Sequence, residues 1–154
     1  MLTKRVRRLL GVAAVAPLLL TSCDNNPFDP FEEALGTYEL SVFAGRSMPG
    51  AEFDCAPGEC QSIPNGGHIR INSGSLTLYN DGTFLETNNW TETPTGGSSR
   101  DVNFTSSGTY DLNGEDLDLS DPSRQRFINA TLEFGQRIRI NYLENGDSFE
   151  YVRD

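Results

Sequence analysis

The chain has 154 residues, 36% hydrophobic and 22% charged, with 22 acidic against 12 basic side chains and a net charge of −10. That length suits one domain behind a short leader. So acidic a body is repelled by nucleic acid and by anionic headgroups, which argues against both as partners.

Residues 1–8 carry Lys4, Arg5, Arg7 and Arg8 without an acid, and residues 11–20 are uncharged and mostly apolar. This is the layout of a secretory signal. The apolar run is about half the roughly 20 residues that a membrane-crossing helix needs. It closes on Leu20-Thr21-Ser22-Cys23. That tetrapeptide resembles the lipobox of bacterial lipoproteins, in which the cysteine is lipidated and becomes the first residue of the mature chain. The resemblance implies a signal peptide over residues 1–22, acyl chains such as palmitate on Cys23, and a membrane partner reached through that lipid. It places the domain in the bacterial cell envelope, outside the cytoplasm. Each buried methylene contributes about 0.8 kcal/mol, and two or more acyl chains anchor stably. In some enteric bacteria an aspartate after the cysteine retains a lipoprotein in the inner membrane. Asp24 fits that pattern, but other lineages sort differently, so inner and outer membrane both stay open.

From Cys23 onward the chain holds eight arginines, no lysine and all 22 acids, for a net charge of −14. Residues 23–35 carry Pro27 and Pro30 and no alternating pattern, and read as a flexible tether with room for one helical turn at residues 31–35. Fully extended, such a segment reaches roughly 40 Å.

The period becomes two at Gly36, where the barrel domain of residues 36–154 begins. Tyr38, Leu40 and Val42 alternate with polar residues, which predicts a half-buried strand. A long polar loop over residues 44–67 follows, with Cys55 and Cys60 flanking a Pro-Gly turn. An even pair of cysteines in an oxidising compartment predicts a local disulfide, contributing on the order of 2 kcal/mol. Ile69 and Ile71 mark a short strand. Gly74 starts a hairpin with Leu76 and Leu78, which turns at Asn80-Asp81-Gly82 and returns from Thr83 to about Thr91. Val102 and Phe104, then Tyr110 and Leu112, then Leu117 and Leu119, continue the alternation. So do Ile128 to Phe134, Ile138 to Tyr142, and Phe149 with Tyr151, with turns at Asn113-Gly114, Gly135-Gln136 and Asn145-Gly146. No stretch after Leu35 has helical periodicity. The reading is an all-β fold, a single antiparallel up-and-down barrel of about eight or nine strands.

The opening Gly36-Thr37-Tyr38-Glu39-Leu40, the later Gly74-Ser75-Leu76-Thr77-Leu78 with Asp81-Gly82-Thr83-Phe84, Gly108-Thr109-Tyr110 and the final Phe149-Glu150-Tyr151-Val152-Arg153 resemble the bacterial lipocalin-like domains. The likeness spans most of residues 36–153. It implies a small up-and-down barrel on an exported lipoprotein. Lipocalins open on Gly-x-Trp, where this chain has Tyr38.

Chemistry is sparse. His68 is the single histidine and sits at a loop–strand junction. No Gly-Lys-Ser/Thr loop, His-x-x-x-His pair or Cys-x-x-Cys is present, so no catalytic set, metal centre or cofactor is expected and the chain reads as no enzyme. Glu115, Asp116, Asp118 and Asp121 form the densest acidic cluster and read as a solvated face rather than a calcium site. Tyr38, Trp90, Phe104, Tyr110 and Tyr142 are the candidate ligand contacts, Trp90 as an aromatic near a barrel mouth. An eight-strand barrel is just wide enough to be filled by its own side chains or to hold one small ligand. Tyr38, Phe84, Phe104, Tyr110, Phe134, Tyr142 and Phe149 are bulky, which tilts the expectation toward a mostly filled interior. Two functions follow: a binding module for a small apolar ligand, or a filled barrel that contacts an envelope protein.

Overall fold

A computed structural model describes residues 30–141 and 148–153. A five-residue helix, α1 (Pro30–Ala34), precedes β1 (Gly36–Phe43), β2 (Arg46–Ser47), β3 (Glu52–Cys55), β4 (Gly67–Leu78) and β5 (Thr83–Pro94). Then come β6 (Arg100–Asn113), β7 (Asp116–Asp121), β8 (Arg126–Glu133), β9 (Arg137–Asn141) and β10 (Ser148–Arg153). Neighbours from β4 to β10 pair antiparallel in chain order, β10 pairs with β1, and β1 pairs with β4. The result is the expected closed antiparallel barrel, of eight strands, with β2 and β3 outside it.

Closure uses only the start of β1 and the end of β4, from Gly36↔Leu78 to Glu39↔Ser75. Beyond that the two strands part. The gap is filled from residues 44–67, expected as loop, where β2 pairs on Val42 and Phe43 and β3 pairs on residues 67–70 of β4. The Ile71 amide donates to the Ala51 carbonyl (2.8 Å) and the Met48 amide to the Ser41 carbonyl (2.8 Å), tying the insert to both sides. The expected Cys55–Cys60 disulfide is formed within it.

Two bulges explain where the alternation misled. In β1 the register shifts between Leu40 and Val42, so Phe43, not Val42, takes the inward place opposite Phe149. In β4 a shift between Ile71 and Ser73 moves the buried set from Ile69 and Ile71 to Gly74, Leu76 and Leu78. One twelve-residue strand therefore carries both phases, and Gly74 is no turn. A Cβ there would lie 2.1 Å from Asn88 Oδ1 and 2.9 Å from Leu40 Cδ2. Bulges of this kind insert one residue and re-aim the side chains after it. In β6 the apolar run fails for a different reason. Ser106 and Gly108 occupy inward places between Phe104 and Tyr110, and the strand runs unbroken for 14 residues.

The hairpin turns after β4, β6 and β8, the start of β1 and the end of β10 share one end of the barrel, and that end is filled. Tyr38, Phe84, Leu76, Leu117, Ile138 and Tyr151 are buried there and toward the middle. Five of the last six residues of the expected tether, Pro30–Ala34, form the helix α1, and Ala34 is buried. The Tyr38 hydroxyl donates to the Ala34 carbonyl (2.8 Å) and lies 3.2 Å from the Gly135 carbonyl. Burial raises its pKa above the usual tyrosine value, against the opposing pull of Arg153. Arg153 faces inward from the last strand, 5.8 Å from the Tyr38 ring, and donates to the carbonyls of Glu33 and Leu35. Phe134, expected inward, instead starts the turn after β8 with φ 51° and is 85% exposed. With Gly135 also at positive φ, the turn has the primed geometry that matches strand twist.

Gly108 sits where β6 passes closest to β7. An alanine Cβ there would lie 1.8 Å from the Ser120 carbonyl oxygen, whereas Gly114 in the next turn has nothing within 4 Å. Gly108→Ala should therefore cost about 1–3 kcal/mol or more through overpacking, and Gly114→Ala only about 1 kcal/mol of backbone strain. Urea midpoints at constant slope measure both.

Candidate functional site

The opposite end of the barrel is hollow. A cavity of about 410 Å³ lies between its walls and the disulfide-closed loop, in the size range of small-molecule sites. Phe43, Phe53, Ile69, Ile71, Trp90, Phe104 and Phe149 make its apolar lining; Cys60, Gln61 and Ser62 reach it from the loop, and Glu86, Asn88 and Arg126 bring polar groups. Phe43 stacks on Phe53 with centroids 5.8 Å apart and planes 7° from parallel, and meets Phe149 edge-on at 4.4 Å. Trp90 and Phe104 are a second aromatic pair, 6.4 Å apart.

β5 supplies the polar part through its period of two. Phe84, Glu86, Asn88, Trp90 and Glu92 share the inward face. Glu86 is 2% exposed, and its carboxylate accepts from the Tyr151 hydroxyl (2.9 Å), the Asn88 amide (2.9 Å) and the Arg126 guanidinium. A carboxylate buried this far is tolerated only when paired and hydrogen-bonded. Arg126 is the inward residue at the start of β8, and its guanidinium centre lies 5.3 Å from the Phe104 centroid. Arg124, in the preceding loop, lies 4.8 Å from the same ring.

Glu92, fully buried, ties the wall to the loop. Arg100 donates to it through Nε (2.9 Å) and Nη2 (2.8 Å), and Nη2 also reaches the Ser62 carbonyl (2.8 Å). Trp90 Nε1 donates to the other carboxylate oxygen (2.9 Å), which orients the indole. Burial pushes the Glu92 pKa up, but hydrogen bonds from Ser62, Trp90 and Arg100 outweigh it and hold the carboxyl below its usual range.

Of the candidate ligand contacts, Trp90 and Phe104 line the cavity. Tyr38 and Tyr110 do not. They belong to the filled end, where the Tyr110 hydroxyl donates to the Tyr79 carbonyl (2.8 Å), because β1 and β6 carry those residues away from the hollow end. Tyr142 and Cys23 lie outside the described residues. Phe43, Phe53, Glu86, Asn88 and Arg126 went unread in the sequence. A signal existed for Glu86 and Asn88, since they lie in phase with Phe84 and Trp90.

His68 stands on the outside of β4 between Asp54 (3.0 Å) and Glu52 (3.6 Å), part of an exposed ion cluster with Arg70. The acidic cluster is split by the strand. Asp116 and Asp118 are exposed, whereas Asp121 faces inward and accepts from Ser106 Oγ (2.7 Å), Ser123 Oγ (2.5 Å) and the Arg124 amide (3.2 Å). Among the described residues no group of three or more His, Cys, Asp or Glu is placed to hold a metal ion, and no helix is long and apolar enough to cross a membrane.

Compared with protein-family models, curated proteins and solved structures, the chain matches none.

The hydrogen bonds from Ser123 and Ser106 lower the Asp121 pKa from 3.8 to about 2. A carboxyl whose folded value lies below its unfolded one stabilises the fold above the unfolded value and loses that contribution as pH falls through the folded one. Thermal midpoints should therefore drop between about pH 4 and pH 2 more steeply in the native chain than in Asp121→Asn. Equal slopes would show that Asp121 contributes nothing to acid sensitivity.

Proposed function

We propose that the chain is a non-catalytic binding module that holds one small apolar ligand inside its barrel, on a lipoprotein of the cell envelope. The observation that carries this reading is the cavity of about 410 Å³ at one end of the barrel. Its lining is apolar with a few fixed polar groups, which is the usual make-up of a small-ligand site. The inward carboxylates support a binding role over a catalytic one, since Glu86, Glu92 and Asp121 are each engaged by several donors.

The runner-up is a filled barrel that serves only to contact an envelope protein. It has Phe127 and Phe134 in its favour, 76% and 85% exposed. They are single side chains, and scattered exposed apolar residues are ordinary on protein surfaces. The hollow end favours the ligand reading.

Native mass spectrometry of the protein purified from cell envelopes tests it. The expected spectrum shows a non-covalent small-molecule adduct that disappears on denaturation. A spectrum with a stoichiometric protein partner and no small molecule would favour the runner-up.

The envelope assignment rests on Leu20-Thr21-Ser22-Cys23 and has its own test. Cys23→Ala should move the protein from the membrane pellet to the soluble fraction after a high-salt wash. Retention in the pellet would remove the lipid anchor from the account.

A further inference from the structure

The cavity's walls say more about its occupant than that it is apolar. In the closed eight-strand order, β6 and β10 stand four strands apart in both directions, so they face each other across the barrel. Phe104 on β6 and Phe149 on β10 therefore lie on opposing walls. Trp90 joins Phe104 on one side, and Phe43 with Phe53 join Phe149 on the other. The space between them is bounded by aromatic rings on two sides.

Wall composition narrows the choice. Among the described residues, Ile69 and Ile71 are the only aliphatic side chains in the lining, and no methionine lines it. Adaptable alkyl chains are suited to linings that reshape themselves, methionine above all. Rings have few torsions, and they favour partners that can stack or meet them edge to face. The Arg126 guanidinium extends this surface, because it is planar, weakly hydrated and stacks on π-systems.

Charge narrows it again. Glu86 and Arg126 form an ion pair at the cavity wall, and Arg124 stands close by over Phe104. Arg126 already has Glu86 as its counter-charge and Arg124 has Asp121, so an entering anion competes with a carboxylate and an entering cation with a guanidinium. Either would lose its hydration to a pair whose charges already match. An uncharged ligand avoids that cost.

We infer that the ligand is a flat, uncharged aromatic or conjugated ring system held between the Phe104–Trp90 and Phe149–Phe43 walls. This inference rests on the binding reading proposed above and names the ligand class of the same cavity.

Trp90 is the only tryptophan in the chain and lines the cavity, so its emission reports on the occupant directly. Purified full-length chain in phosphatidylcholine vesicles is titrated with 2-naphthol, which is flat and uncharged at neutral pH. 1-Decanol serves as an aliphatic competitor and 2-naphthalenesulfonate as a charged flat one. Saturable quenching by naphthol is expected, with decanol and the sulfonate each binding at least about tenfold more weakly. Phe104→Leu, which keeps an apolar side chain but removes the ring, should weaken naphthol binding by up to about tenfold, the scale of one aromatic pair. Phe149→Leu should act the same way from the opposite wall, so the result does not hang on one variant folding. If decanol or the sulfonate competes as well as naphthol, or if the leucine variants bind naphthol unchanged, the ligand class is wrong and the cavity reading stands. If none of the three probes changes Trp90 emission, the cavity reading falls with it.

Discussion

Four residue pairs, Gly36↔Leu78 to Glu39↔Ser75, close the barrel, and the division of the molecule into a packed end and a hollow end follows from how short that seam is. Where β1 and β4 stay paired, their inward side chains meet those of the other six strands and fill the interior. Beyond the bulges in β1 and β4 the two strands are no longer paired with each other. Residues 44–66 bridge the gap from outside with β2, β3 and a disulfide, leaving the interior open. The bulges re-aim Phe43 inward and set Gly74 against Asn88, so the same irregularity that opens the barrel also furnishes its lining.

The hollow end is costly to maintain, and its polar residues show how the cost is met. Three carboxylates, Glu86, Glu92 and Asp121, are buried, each satisfied by donors from other strands or loops. Replacing such groups by apolar residues is often neutral or stabilising in other proteins, so their presence here points to definition of shape. Glu86 draws β5, β8 and β10 together through Arg126 and Tyr151, while Glu92 fixes both Trp90 and the Ser62 backbone through Arg100. Without these ties the cavity walls would have no fixed spacing. Every buried side-chain nitrogen and oxygen among the described residues has a hydrogen-bond partner, as a preorganised interior requires.

The architecture was legible in the sequence because antiparallel strands with one wet face write a period of two, and the turn dipeptides at Gly82 and Gly114 punctuate it. What the sequence hid lies where that period breaks. A bulge reverses phase without a turn residue to announce it, so β4 read as two elements, and Val42 was assigned the place that Phe43 holds. Inward polar residues hide a strand equally well: Ser106 and Gly108 split β6 in the reading, although Ser106 is inward because Asp121 awaits it. The candidate site was half legible. Trp90 and Phe104 stand out as aromatics, but aromatic content alone does not separate them from Tyr38 and Tyr110. Only the position of each residue along its strand decides which end of the barrel it serves.

Arg153 clasps the carbonyls of Glu33 and Leu35 at the packed end, so α1 is held on the side facing away from the cavity. The two ends of the barrel thus differ in kind, one stoppered by a helix and the other open.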